Sequence, residues 1–582
     1  MHIWKKLLET VNNKKVIRSV FVIALLLAGL FFFFRPTLTS GFLRMQSDVG
    51  DTMFNNYLLE HSFRTVFDNN YKASSWSPAF FYPQQEALVY ADNLWGAAPI
   101  YWLARIFSSP ETSFQLWLIV ITILNFLSFY LLARRLRAES WVAGVGAFLF
   151  AFCLPRSAQL GHQQILIQFF SVLALWSLVS FIEIKKFKYF ILFLVFVYLQ
   201  VLAGIYLGWF LFLALAVMAL VALSYYWDKK IFLLFFSIKA IIGWFFLFLS
   251  LAATFYPYYL IKQDIGPWSY VGVKSMTPRL TSYFSVDSGS IFYDLYPASM
   301  KTAAAALPMP HEHRLFLGFF FIAWIGLSLV AFIIIKRKQR FFNSAKKGIY
   351  DWPPLIIVSA GSFLLISAIS LYIPLIDFSF WRYIYEFVPG AGAIRAVSRI
   401  WTASYLFLFL LVVILVSEVY RRTELKAFKV ILIIIGLLVC LEQINLSPSS
   451  FDKLAEKRIR QQLAQEITSL TSDNEISSFY VRWPEEEKAN FYDYQLKAMW
   501  TGMELGLPTI NGYSGRTPIG YKYFELPMNN CELGYWLVWH NKLPKKEKVL
   551  VLEAEINNKE LIINKTEILD GSYLIYLINR CN

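Results

Sequence analysis

The stretch from Val16 to Phe34 decides the fold class of this chain, and it reads VIRSVFVIALLLAGLFFFF. An α-helix needs about 20 apolar residues to cross the hydrocarbon core of a bilayer, and this stretch has that length. Similar apolar runs, such as residues 191–226, recur through the first three quarters of the sequence. Lipid offers no partner to a backbone N–H or C=O group, so each run is predicted to be a helix with internal hydrogen bonds. An outer-membrane barrel would instead show alternation in segments of about ten residues, and that pattern is absent from the sequence.

Composition and charge support the same fold class. The 582 residues are 57% hydrophobic and 18% aromatic, and only 16% are charged, whereas soluble domains carry about 25% charged residues. The net charge of +15 is concentrated in short loops between apolar runs, at Lys5–Arg18, Arg134–Arg137, Lys185–Lys188, Lys229–Lys230, Lys336–Lys347 and Arg421–Lys429. Such clusters mark cytoplasmic loops that face anionic lipid. The charge therefore indicates membrane topology, and we expect no nucleic-acid partner.

The clusters and the apolar runs together predict a mainly α-helical, polytopic protein with about eleven transmembrane helices. The spans are predicted near 16–34, 113–132, 141–154, 164–182, 189–204, 206–226, 231–257, 315–335, 354–373, 400–419 and 428–444. We expect a multi-pass protein of the inner (cytoplasmic) membrane with its N-terminus in the cytoplasm. An odd number of spans then places the C-terminus outside. The predicted outer loops are about 35–112, 258–314 and 374–399.

The domain organisation follows from where the apolar runs end. We predict a polytopic domain over residues 1–444 and a small extracytoplasmic α/β domain over 445–582. Within the second, Phe451–Leu470 has the pattern of an amphipathic helix, and Val549–Leu552 and Tyr573–Ile578 have that of strands. Cys531 and Cys581 both fall in this domain, where an oxidising compartment permits a disulfide, but the sequence leaves their pairing open.

A pair of carboxylates follows the first span, in the string Ser47-Asp48-Val49-Gly50-Asp51. Asp48 and Asp51 are three residues apart and next to a glycine, so both can be held together at the membrane surface. Transfer of a sugar needs a carboxylate to accept the proton of the acceptor hydroxyl. The alternative interpretation is that Asp48 or Asp51 caps the helix that follows.

The second outer loop ends in His311-Glu312-His313. Adjacent residues of this kind do not converge on one ion, and the spacing of zinc-binding helices is missing, so we predict no metal site here. Glu312 is expected to order the outer loops or to cap the eighth span. The sequence requires no cofactor, and it leaves open the use of a divalent cation such as Mg²⁺ or Mn²⁺.

Two basic residues lie near the outer end of the tenth span. The spacing of Arg395 and Arg399 places both on one face of a helix, where guanidinium groups could hold a phosphate in bidentate geometry. The alternative is that each extends toward water at the interface. His162 begins the string His162-Gln163-Gln164, which suits a neutral hydrogen-bonding contact or a helix cap.

The first outer loop resembles that of the GT-C glycosyltransferase superfamily, including bacterial multi-span proteins of the YfhO type. The matching strings, in chain order, are Tyr82-Pro83, Tyr90-Ala91-Asp92, Leu131–Leu136, Arg156–Gln164, Glu312–Gly318, Val388-Pro389-Gly390 with Arg395 and Arg399, and Asn511–Gly515. The resemblance covers most of the chain. Many members place their acids adjacent or alternate, whereas Asp48 and Asp51 are three residues apart.

The resemblance implies an enzyme that uses a polyprenyl-phosphate-linked sugar and a functional acid after the first span. Asp51 is the implied general base, because it directly follows Gly50, and Asp48 is the implied helper. The implied substrate-binding residues are Asp92, His162, Glu312, Arg395 and Arg399. The implied acceptor is an extracytoplasmic glycan, lipid or protein.

Two other functions are compatible with a polytopic chain. A transporter or flippase for a lipid-linked saccharide would carry ionisable residues in mid-span, and the candidates are only Lys239 and Glu442. A non-catalytic scaffold would use the C-terminal domain to bind an envelope component. The concentration of polar residues in the predicted outer loops favours the enzyme.

Overall fold

The computed structural model describes residues 14–225, 229–340, 352–471, 475–521, 526–540, 547–557 and 560–581. The fold is mainly helical. The α-helices in chain order are α1 Lys14–Phe33, α2 Arg35–Thr39, α3 Gly50–Phe67, α4 Ala98–Arg105, α5 Pro110–Arg135, α6 Ser140–Phe152, α7 Leu154–Ala158, α8 Phe169–Ile184, α9 Phe187–Ala203, α10 Ile205–Tyr225, α11 Lys229–Leu234, α12 Ile238–Ile265, α13 Tyr270–Ser275, α14 Ala298–Ala305, α15 Phe319–Arg340, α16 Trp352–Ser370, α17 Trp381–Phe387, α18 Trp401–Arg422, α19 Lys426–Glu442, α20 Lys453–Thr471, α21 Phe491–Leu505, α22 Asn530–Trp539 and α23 Gly571–Ile578. The strands are β1 Arg44–Gln46, β2 Tyr372–Ile373, β3 Phe378–Ser379, β4 Ser450–Asp452, β5 Ser478–Arg482, β6 Lys548–Asn557 and β7 Glu560–Asp570.

The apolar runs of the sequence are helices, which confirms a multi-pass membrane protein. Within the described residues, eight helical stretches are long and apolar enough to cross a membrane: Val16–Phe33, Pro110–Arg135, Ser140–Ala158, Gln163–Ile184, Ile205–Tyr225, Ile238–Ile261, Phe319–Arg337 and Val397–Arg422. The other three predicted spans correspond to α9, the apolar part of α16 and α19, which are shorter. The count of eleven spans and the orientation of the termini stay predictions. The basic cluster at 336–347 lies partly outside the described residues.

The chain forms two compact units. The first comprises Met1–Leu38, Leu118–Leu251 and Pro267–Pro448, and the second comprises Thr39–Trp117, Ala252–Gly266 and Ser449–Asn582. The predicted boundary near residue 445 lies close to the return of the chain into the second unit at Ser449. The second unit also includes most of the first predicted outer loop. The functional domains 1–444 and 445–582 stay a prediction.

The core of the first unit is built around α18. Nearly every residue of this helix is buried, from Trp401 to Val419, as expected for a helix that is apolar on all sides. On α15, the Trp324 indole N–H donates to the Leu432 carbonyl at 3.1 Å. Packed neighbours of this kind satisfy polar atoms that lipid would leave without partners.

The N-terminal end of α15 is capped by a carboxylate from a helix more than a hundred residues later in the sequence. The Glu442 oxygens accept the backbone N–H groups of Phe319 at 2.7 Å and Phe320 at 2.8 Å. The preceding Gly318 has φ +100°, and a Cβ built on it would lie 2.1 Å from the Glu442 carboxyl. Only glycine permits this backbone and leaves room for the carboxylate. Of the two roles predicted for Glu312, the cap of the eighth span is therefore wrong.

The second unit contains a three-stranded sheet with β6 in the centre. Strand β5 pairs with β6 in parallel, with Ser478 opposite Val549, and β7 pairs with β6 antiparallel. The predicted amphipathic helix is α20, and the predicted strand Val549–Leu552 lies within β6. Short strands β1 and β4 also pair antiparallel. These elements give the C-terminal segment the predicted α/β character.

One secondary-structure prediction in this unit is wrong. Tyr573–Ile578 is part of helix α23, because Asp570 caps the helix by accepting the Tyr573 N–H at 2.7 Å. The apolar residue Ile578 then packs over Gly534 of α22. Cys531 of α22 and Cys581 just after α23 form a disulfide, which joins the ends of this helix pair.

Candidate functional site

The predicted acid pair lies at the start of α3 in the second unit. Asp51 is in the first turn of the helix and half-buried, while Asp48 precedes it and is exposed. The N-cap residue of α3 is Val49, and no side chain makes a cap hydrogen bond there. The capping interpretation therefore does not account for Asp48.

Asp51 is held by a tyrosine from the C-terminal part of the same unit. The Tyr513 hydroxyl donates to Asp51 Oδ1 at 2.8 Å. Between the two acids, a Cβ built on Gly50 would lie 3.3 Å from Asp48 Oδ1 and 3.5 Å from the Tyr513 hydroxyl. Gly50 thus lets both carboxylates and the phenol approach one another. We call Asp48, Gly50, Asp51 and Tyr513 the acid site.

The loop that carries Tyr513 is fixed by its own hydrogen bonds. The buried Asn511 side chain donates to the Val481 carbonyl at 2.9 Å and accepts the Val481 N–H at 2.7 Å, so it continues the edge of the sheet beyond β5. A Cβ on Gly512 would meet the ring of Phe81 at 2.1 Å. Glycine is required at this position, because the Phe81 ring packs directly on the backbone before Tyr513.

Protonation states at the acid site follow from burial and charge. Burial raises the pKa of Tyr513, and the negative charges of Asp51 and Asp48 raise it further. The phenol therefore stays protonated at neutral pH and acts as the donor, with the Asp51 carboxylate as the acceptor. The Asp48 carboxylate accepts a separate hydrogen bond from the Ser47 hydroxyl at 3.2 Å. The Asn511–Gly515 string was one of the matching strings in the sequence, but nothing in it predicted a contact with Asp51.

Asp92 lies elsewhere in the second unit, next to an aromatic cluster. Its neighbour Ala91 accepts a hydrogen bond from the Tyr258 hydroxyl at 3.1 Å. The Trp76 ring packs edge-on against Trp95 at 4.7 Å and against Tyr258 at 5.7 Å. Asp92 is half-buried beside this cluster. Its role in substrate binding stays a prediction.

The first unit brings together His162, Glu312 and Arg399. Glu312 and Arg399 form a bidentate ion pair, with Nη2 at 2.5 Å and Nε at 3.1 Å from the two carboxylate oxygens. The Ser398 hydroxyl donates to Glu312 at 3.3 Å, and Gln159 Nε2 lies 3.5 Å from it. His162 Nε2 lies 3.7 Å from Glu312. We call Gln159, Glu312, Ser398 and Arg399 the Glu312 cluster.

The charge of Arg399 is compensated by Glu312. The Glu312 side chain is only 2% exposed. Burial alone would raise the pKa of this carboxyl, but the charge and hydrogen bonds of Arg399 lower it to about 2. Both partners therefore remain ionised at neutral pH. Glu312 links the segments that follow α7 and precede α18, and its role in ordering the outer loops stays a prediction.

Arg395 has different surroundings from Arg399. Its side chain is exposed, and its guanidinium carbon lies 4.5 Å from the centre of the Trp268 ring, a cation–π contact. The prediction that both arginines share one helix face is wrong. Arg399 is in a 3₁₀ turn, Val397–Ile400, whereas Arg395 precedes that turn and α18 begins only at Trp401. The Tyr206 hydroxyl accepts the Arg395 backbone N–H at 2.7 Å, which fixes the bend.

The histidines beside Glu312 do not gather around an ion. His313 is buried, with Nδ1 2.8 Å from the Ser282 hydroxyl and Nε2 2.9 Å from the Ser275 carbonyl. Burial lowers its pKa, which keeps the ring neutral at pH 7. Across the described part of the chain, no group of three or more His, Cys, Asp or Glu residues could hold a metal ion.

An apolar groove lies in the first unit between α6, α8, α10 and α18. The volume in it that a water-sized sphere can occupy is about 20 Å³, and Phe150, Leu207 and Leu406 are among its lining residues. Gln168 also lines it and accepts a hydrogen bond from Arg156. Arg156 is 1% exposed and lies over the Phe150 ring. Arg156 belongs to one of the matching strings in the sequence, but the sequence did not predict that its guanidinium is buried beside a groove.

Several solved structures match this chain at low sequence identity. The apo oligosaccharyltransferase of Archaeoglobus fulgidus matches with a TM-score of 0.51 at 14% identity, over 94% of this chain and 70% of that chain. Its complex with an inhibitory peptide and a dolichol-phosphate gives a TM-score of 0.44 at 15% identity, over 91% and 69%. Apo ArnT of Cupriavidus metallidurans gives 0.38 at 10% identity, over 95% and 98%. The chain is thus a multi-pass membrane protein with the GT-C fold, as predicted.

The family is defined by sequence. Residues 21–442 match the family described as "Domain of unknown function (DUF6311)", and the chain belongs to that family. A comparison with curated proteins finds no match. The resemblance to proteins of the YfhO type stays a prediction.

Proposed function

We propose that this protein is a glycosyltransferase that moves a sugar from a polyprenyl-phosphate-linked donor to an extracytoplasmic acceptor, with Asp51 as the general base. The observation that carries the proposal is the acid site, where a phenol that stays protonated orients the Asp51 carboxylate. A positioned carboxylate beside an exposed one suits removal of a proton from a hydroxyl. Asp48 is the helper in this proposal. The acceptor is a glycan, a lipid or a protein of the cell envelope.

The fold supports the transfer of a saccharide, because a solved structure with this fold is that of an oligosaccharyltransferase. Arg395 supplies an exposed guanidinium for the donor phosphate. Arg399 contributes by holding the bend that presents Arg395, since its own charge is paired with Glu312. Asp92 and His162 are proposed to contact the sugar.

The transporter interpretation is weaker. Glu442, one of its two mid-span candidates, is engaged as the cap of α15. A carboxylate that accepts two backbone N–H groups at the start of a helix has a structural role there.

The proposal is tested with the purified full-length protein in nanodiscs, supplied with a polyprenyl-phosphate sugar and an envelope extract as acceptor. Asp51→Asn keeps the size of the side chain but removes its charge and most of its basicity. We expect it to lower the transfer rate by about 100-fold or more, with donor binding and thermal stability unchanged. Asp48→Asn is the matched control, and its loss should be smaller.

Two outcomes would contradict the proposal. Transfer at the wild-type rate by Asp51→Asn would exclude Asp51 as the base, and an equal loss from Asp92→Asn would point to Asp92. Absence of any lipid-linked sugar among the lipids that co-purify with the wild-type protein, together with no transfer from any polyprenyl donor supplied, would exclude the enzyme class.

A further inference from the structure

The segment between α16 and α18, residues 371–400, exposes large apolar side chains at its tip. Strands β2 and β3 form a short hairpin whose tip is a 3₁₀ turn, Pro374–Ile376. Leu375 is 96% exposed and Ile376 is 68% exposed. On the helix that follows, α17, Phe387 is 76% exposed. Exposed large apolar side chains within one short segment suit a contact with a partner or with lipid.

The opposite side of this segment is anchored in the first unit. Trp381 of α17 is fully buried and packs at 5.7 Å against Trp209, which lies in the first turns of α10. The Trp209 indole donates to the Pro389 carbonyl at 3.1 Å. The Tyr385 hydroxyl donates to the Trp268 carbonyl at 2.6 Å. These contacts fix one side of the segment to the first unit and leave Leu375, Ile376 and Phe387 exposed on the other.

The fixed side lies at the ends of membrane-spanning helices. α10 and α18 are both long and apolar enough to span, and the segment packs on the N-terminal turns of α10 and leads directly into α18. The segment therefore lies at the N-terminal ends of α10 and α18, and of these two helices α10 leaves most of its apolar surface uncovered by protein. A lipid contact there continues the one that the spans already make.

The basic and aromatic residues of this segment and of the neighbouring stretch 268–274 have the composition of the interfacial region of a bilayer, although Lys274 is ion-paired with Asp377 and Arg382 with Glu386. Basic side chains lie over aromatic rings: Arg395 over Trp268 at 4.5 Å, Arg382 over Tyr270 at 5.8 Å, and Lys274 over Tyr372 at 5.1 Å. Trp, Tyr, Arg and Lys are the residues that concentrate at the headgroup level of membranes. Apolar tips below a layer of such residues are the pattern of a segment that lies in the interface.

We propose that the 371–400 segment inserts its tip, Leu375 and Ile376, and the exposed side of α17 into the adjacent lipid leaflet. The basic and aromatic residues then lie among the phosphates of the headgroups. This surface binds lipid and is independent of whether the protein transfers sugar.

The test places an environment-sensitive fluorophore at Leu375→Cys and, in a second protein, at Phe387→Cys. Both full-length variants are studied in nanodiscs of phosphatidylcholine and phosphatidylglycerol. The remaining free cysteines, Cys153 and Cys440, are buried, and parallel labelling of the parent protein measures their background. Gln465→Cys, an exposed polar position on α20, is the matched control. Gel filtration of each labelled protein verifies folding.

We expect blue-shifted emission at both positions and loss of most of that emission when lipids carrying a nitroxide near the headgroup are included. The control should respond instead to a water-soluble quencher. Emission at position 375 or 387 that responds only to the water-soluble quencher would overturn the proposal. Blue-shifted emission that nitroxide lipids leave intact would mean that protein covers the tip, and it would overturn the proposal equally. If one variant does not fold, the other decides.

Discussion

The acid site and the Glu312 cluster each hold a charged residue, Asp51 in the first and Arg399 in the second, but the partners of the two residues differ. Asp51 is bound by a neutral phenol, which orients the carboxylate and leaves its negative charge in place. Arg399 is bound by a buried carboxylate, which cancels its positive charge. A charged residue held by a neutral partner remains available for chemistry, whereas one held by an opposite charge mainly maintains structure. The comparison supports the proposed role of Asp51 as the base and indicates a structural role for Arg399.

The largest effect should come from Arg399→Ala. Removing the guanidinium leaves Glu312 buried without its cation, which destabilises a protein by about 3–5 kcal/mol. The measurement is the free energy of unfolding in mild detergent. The matched control is Arg382→Ala, which breaks an exposed pair with Glu386 and should cost about 0–1 kcal/mol. Equal losses from the two variants would remove the contrast between the Glu312 cluster and a surface pair.

The pH dependence of stability tests the same cluster. Arg399 lowers the pKa of Glu312 from its ordinary value of 4.5 to about 2. The ion pair therefore stabilises the folded state fully at any pH above 4.5. This contribution, about 3 kcal/mol at 1.36 kcal/mol per pKa unit, is lost as the pH falls from 4.5 toward 2. We expect the stability advantage of the wild type over Glu312→Gln to shrink across that range. An advantage that stays constant down to pH 2 would contradict the ion pair.

Arg395→Ala should weaken binding of a polyprenyl-phosphate sugar by about 1.5–3 kcal/mol, the range of a charged hydrogen bond, and leave stability unchanged. Arg395→Lys should restore part of the affinity, since a point charge does not reproduce the bidentate geometry. Calorimetric titration of each variant with the donor measures the effect. Unchanged donor affinity in Arg395→Ala would reduce this residue to an interfacial anchor.

The smallest effect should come from Tyr513→Phe, which removes only the hydroxyl that orients Asp51. We expect about a tenfold lower turnover, or about 1.4 kcal/mol, with an unchanged KM for the donor. Tyr492→Phe is the control. The Tyr492 ring lies 3.9 Å from a Cβ built on Gly50, but Tyr492 does not belong to the acid site. Turnover equal to the wild type in Tyr513→Phe would make the hydrogen bond purely structural.

The fold was predictable because it depends on long apolar runs. A span such as Val16–Phe34 needs no tertiary information, since lipid alone forces the helix. The strand prediction at Tyr573–Ile578 was wrong for the opposite reason. Six apolar and aromatic residues fit either a strand or a helix, and the decision came from the Asp570 cap and packing on α22.

The candidate site was predictable only as a set of residue types and positions. Asp48, Asp51, Glu312 and the arginines were all found from their place in the loops. Their partners come from far along the chain: Tyr513 is separated from Asp51 by 462 positions, and Arg399 from Glu312 by 87. No local pattern encodes such contacts. The bend before α18 was also missed, because the string Arg395–Arg399 has the spacing of a helix and nothing in it signals a 3₁₀ turn.

The cap on α15 has a consequence for the order in which the chain is made. Phe319 and Phe320 donate to Glu442, which is synthesised 123 and 122 residues later. During translation, α15 is therefore made before the carboxylate that accepts hydrogen bonds from these two N–H groups. Its final position is set only when α19 arrives. In a nascent chain halted before Glu442, the N-terminal turn of α15 should be weakly protected from hydrogen exchange. In a chain halted shortly after α19 has left the ribosome, the same turn should be strongly protected.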